Sequence, residues 1–210
     1  MKATTLKFVT LVVCAGVTSA CGEVARQGQS PVQVVINELE AASGADPGEV
    51  SGTLRSDVIT LVTSPPPCTA TAPCPTLFDD MGEVTMSLAL KDPGTPLTPS
   101  APSSLNQVTF TRYRVVYRRP DGRNTPGVDV PHPIDSGVTF TVPSSGQITA
   151  NFEIVRHTAK QEAPLATLAT NATILSTIAD VSFYGRDQAG HDVQATGSIG
   201  INFGNFGDPR

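Results

Sequence analysis

The sequence predicts an all-β protein, an antiparallel β-sandwich of about seven to eight strands. Three observations carry that prediction. Only 16% of the residues are charged and there is no Trp, while Gly and Pro each number 18 and Thr numbers 25. Such a composition speaks against a coiled coil, a helical bundle and a nucleic-acid-binding domain. From Pro31 onward, apolar and polar residues alternate in runs of period two, the signature of strands with one face buried. Gly/Pro-rich turn signals separate those runs, which is the layout of a sandwich.

The N-terminus reads as an address. Lys2 and Lys7 precede the apolar run Phe8–Val17, and Thr18, Ser19 and Ala20 are small. That is the order of a secretory signal over residues 1–20. The run is too short to span a bilayer, which takes roughly 20 apolar residues. Removing it takes away two lysines and no acid, so the net charge of −5 becomes two units more negative. A chain this acidic repels polyanions on average. Val17-Thr18-Ser19-Ala20-Cys21-Gly22 resembles the lipobox of bacterial lipoproteins, although Thr18 stands where that family prefers Leu, Val or Ile. The resemblance implies that Cys21 becomes the first mature residue and is acylated. It also implies an exported, membrane-anchored envelope protein at the outer membrane or cell surface. Residues 21–30 then form a flexible tether to a domain over 31–210.

Along that domain the alternation can be followed run by run. Val32, Val34 and Ile36 share one parity, and Glu38–Ser43 hints at a helix. Within 53–63 the apolar parity switches between Val58 and Ile59, which suggests a bulge or a strand buried on both sides. Val84, Met86, Leu88 and Leu90 mark a further strand. In 106–118, Tyr113, Val115 and Tyr117 share one parity and Arg112, Arg114 and Arg118 the other. Val138–Val142 and Ile148–Ile154 flank Pro143-Ser144-Ser145-Gly146, read as a hairpin with Gly146 at positive φ. Ala179, Val181 and Phe183 share a face, and Val193–Phe203 closes the chain. Between those two runs, Asp187-Gln188-Ala189-Gly190 forms a turn in which Asp187 caps and Gly190 takes the left-handed position. The stretch Tyr184–Asp192 with the strand after it resembles the last hairpin of bacterial immunoglobulin-like and fibronectin-III-like domains. What that implies is an immunoglobulin-like sandwich rather than an activity.

Candidate chemistry is confined to loops and one strand. Cys68 and Cys74, in a Pro-rich loop, predict a local disulfide. Residues 92–105 are so rich in Pro, Ser and Thr that they read as flexible. Asp79-Asp80 reads as a solvated pair at the end of an exposed loop. Loop 120–136 holds Asp129, His132 and Asp135, weak metal candidates that would need His157 or His191 to join them. No recognised metal spacing, nucleophile elbow, P-loop or dinucleotide motif occurs, so neither a cofactor nor a catalytic residue is expected. Arg112, Arg114 and Arg118 read first as a solvated face paired across strands with acids such as Glu83 or Glu153. Their second reading is a basic stripe for lipid headgroups, a glycan or an acidic partner. The role expected is a non-catalytic binding or structural one in the envelope, with a protein or glycan partner. A metal- or glycan-binding accessory protein is the alternative, and a hydrolase of unknown type a weaker one.

Overall fold

A computed structural model describes residues 30–207, so the signal segment 1–20, Cys21 and most of the tether lie outside the described residues. Extended backbone dominates the rest. The strands are β1 (Val32–Ser43), β2 (Asp46–Ser51), β3 (Thr53–Asp57), β4 (Thr60–Val62), β5 (Cys74–Thr76) and β6 (Asp80–Leu90). They continue with β7 (Gly94–Thr95), β8 (Thr98–Pro99), β9 (Val108–Arg118), β10 (Ile134–Val142), β11 (Gln147–Val155), β12 (Leu175–Asp187) and β13 (Asp192–Gly204). A single helical turn, α1 (His157–Lys160), and a short 3-10 stretch (Leu165–Thr170) lie in the connection from β11 to β12.

Two sheets form the body. One has the order β11-β6-β1-β2 and the other β10-β9-β12-β13-β3; β4-β5 and β7-β8 are small separate ribbons. The nine strands of the two sheets pair antiparallel except β3, which runs parallel to β13. That exception follows from connectivity. Strand β3 leaves β2 of the opposite sheet after a single residue and lies far along the chain from β13, so no hairpin obliges the two to run antiparallel.

The alternation observed in sequence becomes the packing between the sheets. Val84 and Met86 of β6 and Phe152 and Ile154 of β11 face Tyr113, Val115 and Tyr117 of β9 and Ala179, Val181 and Phe183 of β12, all buried. Phe183 is the hub: its ring lies edge-on to Phe152 of the other sheet at 5.2 Å, with Phe140 at 5.9 Å and Phe110 at 6.0 Å. Two tyrosines tie the layers together by polar contacts as well. Tyr113 donates to the Glu153 carbonyl at 3.0 Å and Tyr117 to the Ile154 carbonyl at 2.6 Å. Each ring is therefore buried with its hydroxyl satisfied.

Several sequence expectations change, each for a physical reason. The helix expected at Glu38–Ser43 is the second half of β1. Asn37 is an extra residue between the pairs Ile36↔Met86 and Glu38↔Thr85. The bulge puts Ile36 and Leu39 on one side, where both approach Gly197 of the facing sheet. Apolar residues three apart on one face mimic helical periodicity. The parity switch at Val58 is a strand end: Val58 N–H donates to the Gly204 carbonyl, and Asp57 accepts from Thr60 Oγ1 and Phe206 N–H. The turn after Pro143 is no hairpin. It carries the chain from β10 in one sheet to β11 in the other, although Gly146 does take φ +78°. Residues 92–105 hold the β7-β8 ribbon and a 3-10 turn at Ser104–Asn106.

The β12-β13 turn forms as expected. Gly190 has φ +86°, and buried Asp187 accepts from Ala189 N–H, His191 N–H and His191 Nδ1 at 2.8–3.0 Å. Burial alone would raise the Asp187 carboxyl, but the hydrogen bonds and charge of His191 hold it below the usual range. A depressed native value means stability that is present above the unfolded value of 3.8 and lost as pH falls through the native one. Asp187→Asn will therefore lower stability by about 1–2 kcal/mol at neutral pH. It will also flatten the acid limb of a stability-versus-pH curve below about pH 4. Equal acid slopes for the two proteins in urea titrations would refute this.

Candidate functional site on the outer face of the five-stranded sheet

Strand β9 sends its two tyrosines inward, so its arginines must emerge on the opposite, solvent-facing side. Arg112, Arg114 and Arg118 do so, as the sequence implies. Their partners, however, come from their own sheet. Glu83 and Glu153 sit in the four-stranded sheet, so the pairing expected with them does not form. Arg112 instead grips Asp135 of β10 with Nε at 2.6 Å and with a second guanidinium nitrogen. Arg118 bonds Asp180 of β12 at 2.7 Å, and Ser198 of β13 donates to the same carboxylate at 2.6 Å. The Arg112 side chain holds the Asp135 carboxyl below its ordinary value by hydrogen bonding and then by charge. For Asp180, burial pushes upward and is overcome by Arg118 and Ser198. Arg114, directly opposite Asp135 and Ser182 in register, has no ion pair among the described residues.

Arg112 also lines a hollow of about 560 Å³, together with Thr109, Thr111, Tyr184, Arg186 and Asp192 among others. Tyr184 pairs with Arg112 in register, and the guanidinium carbon stands 5.1 Å from the ring centre. Arg186 bonds Asp192 across the last hairpin at 2.7 Å. Hydroxyl pairs continue the face on either side: Thr109 with Thr141 at 2.9 Å and Ser182 with Thr196 at 3.0 Å. The surface around the hollow is thus rich in groups that both donate and accept, and nearly charge-neutral, with one tyrosine ring fixed among them.

Loop 120–136 is organised around itself. Asp121 bonds both Arg119 and Arg123 at 2.6–3.2 Å, and Arg123 first and Arg119 after it pull its carboxyl down to about 2. Asp129 accepts from Thr125 N–H at 3.2 Å. With Asp135 held by Arg112 and Asp129 turned to its own loop, the metal candidates Asp129, His132 and Asp135 do not converge. Among the described residues, no group of three or more His, Cys, Asp or Glu is placed to hold a metal ion. Cys68 and Cys74 form the expected disulfide, which staples the loop that joins β4 to β5.

Sequence reading missed two groups of residues. Tyr184, Arg186 and Asp192 served only as fold signals, because the register that places them beside Arg112 is a tertiary fact. Asp80, read as a solvated carboxylate, opens β6 and is 0% exposed. It receives Lys160 Nζ at 2.9 Å, Ser56 Oγ at 2.6 Å and Gly44 N–H at 2.9 Å. Asp79 beside it faces outward and accepts from both the backbone and the ring of His157 at 2.6–2.7 Å. No protein-family model, curated protein or solved structure matches this chain.

Proposed function

We propose that this is an exported, lipid-anchored envelope protein whose single sandwich, of immunoglobulin-like type, binds a glycan on the outer face of its five-stranded sheet. The observation that carries the glycan reading is the Arg112–Tyr184 hollow with its flanking hydroxyl pairs. A sugar ring offers an apolar C–H face and a rim of hydroxyls, and this surface offers an aromatic face and a rim of paired donors and acceptors. Arginines already bound to Asp135 and Asp180 have little to gain from a polyanion, because binding one would mean giving up a carboxylate. A neutral or weakly charged glycan can instead bridge donor and acceptor of the same pair. The anchoring half of the reading rests on residues 1–21: a basic start, a short apolar run and small residues before Cys21.

Both halves have direct tests. Retention on an insoluble cell-wall glycan will weaken about tenfold in Tyr184→Ala, equivalent to about 1.4 kcal/mol. The far-surface variant Glu49→Ala will bind as the parent does. Equal retention of Tyr184→Ala and parent would remove the glycan site. Metabolic palmitate labelling with mass spectrometry of the mature N-terminus will find an acylated Cys21; an unmodified Cys21 or another start would defeat the anchor.

A further inference from the structure

Lys160 and Asp80 make a contact of a kind that water normally prevents. Their exposures are 2% and 0%, and Nζ stands 2.9 Å from Oδ1. The two come from distant parts of the chain, with Asp80 opening β6 and Lys160 ending α1 in the connection between the sheets. Around the carboxylate, Gly44 N–H holds Oδ1 and the buried Ser56 hydroxyl holds Oδ2. The buried Tyr117 phenol lies close enough that the Asp80 charge adds to burial in opposing its ionisation.

We propose that Lys160 and Asp80 condense into an intramolecular isopeptide bond that locks the β11–β12 connection to the four-stranded sheet. The pair is first an ammonium and a carboxylate. Burial disfavours separated charge, so a proton passes along the existing hydrogen bond and leaves a neutral amine and a carboxylic acid. The amine lone pair attacks Cγ, forming the C–N bond and opening the C=O π bond. Ser56 Oγ–H steadies the charge on Oδ2, while Gly44 N–H donates to Oδ1. Oδ1, which took its proton from Nζ, then departs as water, carrying two of the three original ammonium protons. Nitrogen keeps the third, and Oδ2 remains as the amide carbonyl, still accepting from Ser56. No oxidant, reductant or co-reactant is consumed. Burial supports the first step, since it raises the Asp80 carboxyl above its ordinary value against the pull of Lys160, Ser56 and Gly44. Fixing the two groups together replaces a bimolecular encounter, an advantage that reaches roughly 10⁵–10⁸ M in effective concentration. A dry site also lets the released water leave rather than reverse the step.

The test is peptide mapping of the purified full chain after denaturation, cysteine reduction and trypsin. Separate residues give the linear peptides 56–91 and His157–Lys160. The bond blocks cleavage after Lys160 and joins 56–91 to 157–186 in one branched species, lighter than the two parts by one water. Fragmentation placing the branch at Asp80 and Lys160 is the expected result. Lys160→Arg, which keeps the cation, will yield no branched species. Only linear peptides from the parent protein, or a branch mapped elsewhere, would overturn the proposal.

Discussion

Replacing Lys160 with methionine will destabilise the protein by about 3–5 kcal/mol, the cost of leaving one member of a buried ion pair without the other. Asp80 has no water to turn to at 0% exposure, and Ser56 and Gly44 are neutral donors that cannot balance its charge. Where the contact has condensed to an amide, the variant also forfeits a cross-link between positions 80 apart, so the loss falls at the upper end of that range. The double variant Asp80→Leu with Lys160→Met should regain much of the loss, because an apolar pair of similar size needs no compensation. Urea unfolding monitored by circular dichroism gives both numbers. A single-variant loss below about 1 kcal/mol, the range of exposed pairs, would show that the site is wet.

Phe183→Ala will be comparably damaging, at about 3–5 kcal/mol. Phe183 is 0% exposed and its ring touches four others: Phe110, Tyr113, Phe140 and Phe152. Removing it opens a void between the sheets that strands on both sides cannot close, since their spacing is set by continuous ladders. The contact with Phe152 is the one that crosses between layers, so a double-mutant cycle there should show about 0.5–1.5 kcal/mol of coupling. Additive losses would mean that the two sheets pack independently at this point. Phe140→Leu, on the partly buried rim of the cluster, should cost less than half as much.

How much of this was legible beforehand varied from element to element. Stretches with an unbroken period, such as β12, residues 113–118 of β9 and 147–153 of β11, were readable because a two-sheet body buries every second side chain and the sequence pattern records that choice. The Asp187–Gly190 turn was readable because its chemistry is local: a carboxylate capping its own turn and a glycine at positive φ. Bulged strands misled. One extra residue at Asn37 gave β1 a three-residue apolar spacing, and only the pairing with β6 shows why. The Arg stripe was visible as a parity, yet its partners Asp135 and Asp180 depended on which strands became neighbours.

The buried pair was the least legible feature. Asp79 and Asp80 are adjacent and chemically identical, and nothing local distinguishes the one that faces His157 from the one that meets Lys160.

The linear chain determined that most of it is extended, which faces of those strands are oily, where two cysteines can close a small loop and where one hairpin turns. Those properties depend on neighbours within a few residues, so they are written in period, parity and turn chemistry. Strand order, the parallel placement of β3, the Tyr184–Arg112 hollow and the dry Lys160–Asp80 contact were decided by the tertiary structure alone. Each joins segments far apart in sequence, and the energy that selects it comes from packing two sheets face to face, which no local pattern encodes.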